Sequence, residues 1–202
     1  MTVVSRLRVP YVTAYDEECV QRPFAVVLDA GATEGWRLGF VGAGEQDWML
    51  GVLWYRPGLH RRGKPEWRLV NTLRQRRCML YLLCQVCGGT AVNDDRRINW
   101  VLAESPEMTP QGVPFTNAPP TCQGCVSEAL DSCPRLGSEA RVYTVRAAAP
   151  YAVVGDVVQI SQTGLSVAEW NRLITIDSFR QLEHTLAKQL LVTLDDLQPS
   201  SA

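Results

Sequence analysis

Short apolar runs broken by glycine open the chain. Residues 7–15, 24–29, 37–41 and 49–55 are rich in Val, Leu, Tyr and Trp and are separated by stretches containing Gly31, Gly42 and Gly44, a pattern that predicts a meander of antiparallel strands. Residues 56–65 are bounded by Pro57 and Pro65 and contain Gly58 and Gly63, so an exposed loop is expected there. From 66 to 83 the period lengthens. Leu69, Val70, Leu73, Leu80 and Tyr81 share one side of a helical wheel with no Pro or Gly to interrupt it, which predicts a helix over the whole stretch. On that wheel Arg77 lies within the apolar stripe, its stem packed and its guanidinium turned to a partner. Arg68 and Arg74 lie away from the stripe's centre, and Cys78 lies opposite it.

The second half alternates shorter signals. Residues 90–92 and 98–102 read as two strands joined through 93–97. Residues 105–120 carry Pro106, Pro110, Pro114, Pro119 and Pro120 and are expected to be irregular. Residues 121–130 read as a helix that stops near Cys133 and Pro134. Strands are expected at 141–146 and 151–160, with a bulge or turn at Gly155 and Asp156. A short helical turn at 166–171, a strand at 173–176 and a C-terminal helix at 178–190, with Phe179, Leu182, Leu186 and Leu190 inward, complete the pattern, and 198–202 are expected to fray. No repeat, low-complexity tract or linker divides the chain. The expectation is one α+β domain over 1–202, antiparallel and β-rich, ending in a helix.

Composition adds two constraints. At 202 residues and 46% hydrophobic content the chain can bury a sizeable core. Lys and Arg number 20 against 21 Asp and Glu, so the molecule as a whole has no strong preference for polyanions. The charge is nevertheless uneven: between 56 and 77 Glu66 is the only acid among eight basic residues, leaving the remainder acidic on balance. Arg61, Arg62, Lys64, Arg68, Arg74 and Arg76 are therefore the candidate contacts to DNA or RNA, with Trp54, Tyr55 and Trp67 placed to stack on bases. The N-terminus has no apolar h-region, and no run approaches the ~20 apolar residues that span a bilayer, so a cytoplasmic protein without a membrane partner is expected.

The sharpest chemical signal is a pair of CxxC turns, Cys84-Gln85-Val86-Cys87 and Cys122-Gln123-Gly124-Cys125. Four thiolates in two such turns are the usual framework of one structural zinc ion, with iron–sulfur ligation or a redox dithiol as the alternatives. Cys19, Cys78 and Cys133 stay outside the set. Cys133 reads as a small buried residue at a helix end rather than a fifth ligand, and Cys19, beside Asp16, Glu17 and Glu18, lacks the positive surroundings that activate a thiol. A knuckle, two strands, a loop and a helix opening on the second pair is an order that resembles the treble-clef zinc finger, here covering 84–136. Residues 8–15, 72–89 and 119–136 are also similar to an uncharacterised actinobacterial family, some members phage- or mobile-element-associated. That resemblance implies the fold and the cytoplasmic location and implies no activity. HNH-type nucleases share the treble clef but need histidines near the finger, and this chain has only His60 and His184, neither of them there. The expected function is accordingly a non-catalytic, zinc-stabilised binding protein meeting nucleic acid through 56–77, or alternatively a protein–protein adaptor in which zinc is purely structural.

Overall fold

The computed structural model describes residues 8–133, 135–162 and 164–200. Leu7, Pro134, Ser201 and Ala202, which fall within the expected strand, helix stop and frayed end, lie outside the described residues. Strand accounts for 43% of the chain and helix for 16%, which makes it a β-rich α+β protein. No described helix is long and apolar enough to cross a membrane.

The N-terminal part contains β1 (Thr13–Tyr15), β2 (Phe24–Leu28), β3 (Trp36–Phe40), β4 (Trp48–Met49), β5 (Val52–Trp54) and β6 (Pro65–Val70). The expected strands are present, but they do not form one meander. β2 and β3 make a hairpin of their own, β1 pairs with β6, and β4 and β5 join a larger sheet. Leu50 and Gly51 between β4 and β5 both have positive φ, 57° and 75°, the backbone of a two-residue hairpin turn. The strand β6 corrects the expected helix over 66–83, which begins only at α1 (Thr72–Tyr81). Asn71 sets that boundary: its side chain accepts from the amides of Leu73 and Arg74, a helix N-cap. Leu82 at φ 53° ends the helix.

β7 (Ile98–Leu102), β8 (Glu107–Met108) and β9 (Pro114–Thr116) follow, so the proline-rich stretch does contain a small hairpin. Pro114 is tolerated there as the first residue of its strand. After α2 (Val126–Ser132) come β10 (Arg141–Val145), β11 (Ala147–Ser161), β12 (Gly164–Thr175), α3 (Phe179–Glu183), β13 (Thr185–Asp195) and β14 (Gln198–Pro199). The expected turn at 166–171 is thus part of a long strand. The C-terminal helix shrinks to α3 and gives way to β13, whose buried Leu186, Ala187, Leu190, Leu191, Val192 and Leu194 form the near-continuous apolar run of a strand covered on both faces. A helical i, i+4 spacing of leucines and a buried strand look alike in such a run. Residues 198 and 199 pair with β10 rather than fraying.

β13 organises a seven-stranded sheet. One edge pairs with β11, and the other with β5, in parallel, and β9. At the expected bulge the register shifts between Gly155 and Val157, and Gly155 is required because a Cβ there would stand 2.6 Å from the Leu186 carbonyl oxygen. The main core, including Trp54, Met79, Trp100, Val145, Val153, Leu182 and Leu190, lies among this sheet, the β14-β10-β7 sheet and α1. Leu53 packs with Leu38 and Phe40 of β3 in a second core, so β5 is buried on both faces.

Candidate metal centre and the basic segment

The chain leaves α1 by a tight turn at Leu82, and the Leu83 to Thr90 bridge closes the first CxxC into a knuckle. Within it the Cys84 amide donates to the Gly89 carbonyl at 2.7 Å and the Gly88 amide to the Cys84 carbonyl at 2.8 Å. Gly88 has φ 77°, and a Cβ there would press on the Tyr11 ring at 3.1 Å. The amides of Val86 and Gly89 point at the sulfurs of Cys84 and Cys87, both at 3.4 Å. Tyr11 and Val12 lie across the knuckle and donate to the carbonyls of Val86 and Gln85.

Gln85 joins the knuckle to the second cysteine pair. Its amide donates to the Pro120 carbonyl at 2.8 Å, and its side chain donates to the Pro119 carbonyl and the Thr121 hydroxyl, each at 3.0 Å. Thr121 in turn donates to Asn99 of β7, whose side chain bridges Asn93 and Gln123. Neither Gln85 nor the Asn93–Asn99–Gln123 set is singled out by the sequence pattern. Amides lack a diagnostic spacing, and only the glutamine's position inside a CxxC turn hints at its role.

The result is convergence of the four expected ligands. One sulfur from each of Cys84, Cys87, Cys122 and Cys125 lies within 4.8 Å of every other, and Cys87 and Cys122 are 3.7 Å apart. A tetrahedron with Zn–S bonds of about 2.3 Å has edges of about 3.8 Å, so the set can hold one metal ion of that size. Cys84 and Cys125 are buried, whereas Cys87 and Cys122 are partly exposed. Burial raises the Cys122 thiol to about 11 and also raises Cys125. For Cys87 burial acts the same way, but the Gly89 amide and the neighbouring thiols outweigh it and leave the group below its ordinary value. Cys78 is buried next to the knuckle, its sulfur 3.9 Å from the Cys84 carbonyl oxygen and its thiol pushed by burial to about 12. A residue opposite the apolar stripe can be exposed or packed against another element, and Cys78 is packed against the knuckle. Cys133 caps α2 and Cys19 is exposed.

The basic segment is taken apart by the fold. Arg74, Gln75, Cys78 and Met79 face inward from α1, Leu80 of the apolar stripe is partly buried against the main core, and Arg77 and Tyr81 are exposed. Arg74 corrects the expectation of a nucleic-acid contact: its guanidinium grips the buried Glu18 carboxylate at 2.6 and 2.8 Å and donates to the Thr13 carbonyl at 2.7 Å. Arg76 is half-buried over the Trp54 ring, 4.7 Å from its centroid, with one terminal nitrogen sealed from solvent and its pKa lowered by burial. Trp54 is wholly buried and donates to the Met49 carbonyl, so it offers no face to a base. Arg61, Arg62, Lys64 and Arg68 remain exposed, with Trp67 beside them. The loop that carries Arg61, Arg62 and Lys64 lies on an acidic segment: the Arg61 amide donates to Glu18 and the Lys64 amide to Asp16. Asp94 and Asp95 are exposed at the hairpin tip, while His184 stacks on Trp36 and His60 lies beside Gly58. Comparison with protein-family models, with curated proteins and with solved structures finds no match to this chain.

Proposed function

We propose that this chain is a non-catalytic binding protein whose fold is held by one structural zinc ion in a treble-clef-like finger. The convergence of four thiols from the knuckle and from the start of α2 carries the reading. Cys84, Cys87, Cys122 and Cys125 would fill all four positions of a tetrahedral ion, leaving none for water or substrate, which suits a structural rather than a catalytic metal. The same thiols could hold an iron–sulfur cluster, and metal analysis separates the two. Protein purified without added metal should contain one zinc per chain and no iron. Cys84→Ser and Cys122→Ser should each lose the metal and the cooperative urea transition. An unchanged transition in both variants would sink the reading.

The recognition surface is better suited to a protein than to DNA or RNA. Opposite the pair Thr13 and Ala14 of β1, the partners jump from Val70 to Glu66, so Trp67, Arg68 and Leu69 bulge from the sheet, and all three are exposed. Trp and Arg side by side on an exposed bulge match the composition of protein-interface anchors. Asp16 and Glu17, which border the remaining cations, would repel phosphate. Labelled DNA and RNA titrated over salt concentration provide the test. Affinity that falls steeply with salt would return the surface to nucleic acid, and Trp67→Ala or Arg68→Ala should leave any such binding unaffected if the proposal holds.

A further inference from the structure

The four thiols are not equivalent. Cys84 and Cys125 are 0% and 5% exposed, while Cys87 and Cys122 are open to solvent, and Cys122 lines a groove of about 520 Å³ with Asn93, Asp94, Asp95, Gln123 and Gly124. The two accessible sulfurs are also neighbours, 3.7 Å apart, and they belong to the two segments that the metal would join. A small oxidant therefore meets a matched pair, one thiol from each side of the centre.

From this geometry we infer that Cys87 and Cys122 are an oxidation site, at which a peroxide converts the metal-held clasp into a Cys87–Cys122 disulfide. The inference rests on the proposed zinc centre. The Cys122 thiolate attacks one peroxide oxygen; the O–O bond breaks, giving a sulfenic acid and a hydroxide that leaves as water after taking a proton. The Cys87 thiolate then attacks the Cys122 sulfur, forming the S–S bond and expelling a second hydroxide, which also becomes water. Two thiolates give up two electrons and the peroxide accepts them. The sulfurs need to close from 3.7 Å to about 2.05 Å. Only Cys84 and Cys125 then remain as ligands, too few to keep a structural ion.

The disulfide links the same two segments as the ion did. Gln85 goes on tying the knuckle to Pro119, Pro120 and Thr121 without help from any sulfur. The oxidised chain should therefore stay folded after losing its metal, whereas the reduced chain stripped by a chelator should not. The site thus has two closed states, one metal-held and one disulfide-held.

The test uses the full chain with Cys19→Ser, Cys78→Ala and Cys133→Ser, so that no thiol outside the four-cysteine set competes. Its metal content is measured first, and hydrogen peroxide is then added in small excess. Expected are a mass loss of two hydrogens, one peptide pair linked through Cys87 and Cys122, release of the metal in step with that link, and reversal by dithiothreitol plus zinc. The oxidised metal-free protein should also show a higher urea midpoint than the reduced chelator-treated protein. A link between any other pair, sulfinic acid without a disulfide, or no reaction at tenfold excess would overturn the inference. If the purified triple variant holds no zinc, the structural-zinc reading fails by itself. The Cys87–Cys122 link formed in that metal-free chain would still support the oxidation site.

Discussion

Replacing Arg74 with methionine keeps the length of the stem and removes the charge and its donors. The Glu18 carboxylate then loses two of its five hydrogen bonds, those from the Arg74 guanidinium, and keeps the amides of Tyr15 and Arg61 and the side chain of Asn71. The Thr13 carbonyl loses its donor as well. Breaking a buried ion pair from one side costs about 3–5 kcal/mol, and the three surviving donors place this case near the lower end, about 3 kcal/mol. In a chain of this size that corresponds to a fall in Tm of about 6–12 °C. Urea unfolding at pH 7 measures it, with Arg62→Met as the exposed comparison, for which a change below about 0.5 kcal/mol is expected. The pH dependence supplies a second readout. Burial alone pushes the Glu18 carboxyl up, but Arg74, the Arg61 amide and Asn71 outweigh it and hold the group below its ordinary 4.5. The unfolded chain thus binds this proton more readily than the folded one, so the stabilisation is complete above about pH 4.5 and is lost as pH falls through the lower folded value. Arg74→Met should flatten that acid loss. If Arg74→Met costs no more than Arg62→Met, the helix does not turn its arginine inward and the argument fails.

Further outcomes follow from the same packing. Gln75 accepts from the Leu190 amide and donates to the carbonyls of Leu190 and Asn117, so Gln75→Ala strands backbone groups of β13 in the core and should cost about 2–3 kcal/mol in urea unfolding. Leu50 holds a left-handed conformation at the tip of the β4–β5 hairpin, where asparagine is favoured, so Leu50→Asn should raise the Tm slightly, by about 0.5–1 kcal/mol in stability. Gly155→Ala should fail to fold or lose several kcal/mol, because its Cβ would collide with the Leu186 carbonyl across the β11–β13 ladder; circular dichroism reports this directly. Mutations at exposed Lys64 should leave all of these readouts unchanged.

How much of this could be read from the chain depends on whether a signal is local. The clustered cysteines were legible because two CxxC turns report their own geometry: each turn places its sulfurs, and only the approach of the two turns had to be supplied by the fold. The bulge at Gly155 and Asp156 and the strands β2, β3 and β7 were legible for the same reason. The helix α1 was legible as a helix, but neither its start nor the face it buries was. Its apolar wheel positions Leu69, Leu73 and Tyr81 invite burial, but Leu69 belongs to β6 and Tyr81 is exposed. What decides the orientation is Glu18, more than fifty residues upstream, and the backbone of β13, more than a hundred downstream. No local periodicity encodes partners at such distances. The leucine spacing of β13 failed in a related way, since a strand buried on both faces shows no alternation to distinguish it from a helix.

The orientation of α1 also divides the arginine cluster. Charge runs are usually solvated faces, and a run of arginines beside tryptophan suggests phosphate and bases. Here the same residues are divided between two tasks. Arg74 and Arg76 fasten α1 to Glu18 and Trp54, and the Arg56 guanidinium pairs with the buried Asp47 at 2.7 Å. The surface residues left over are bordered by Asp16 and Glu17, whose charge offsets part of the attraction to a polyanion, and the salt titration of DNA and RNA binding decides between the two readings. Three of the eight basic residues of 56–77 are thus wired into the N-terminal half, while Arg61, Arg62, Lys64, Arg68 and Arg77 stay on the surface. Recognition is therefore better sought where the chain exposes apolar groups without a structural reason, at the bulged Trp67 and Leu69, which contribute nothing to the cores described above and project from a strand paired on one side alone.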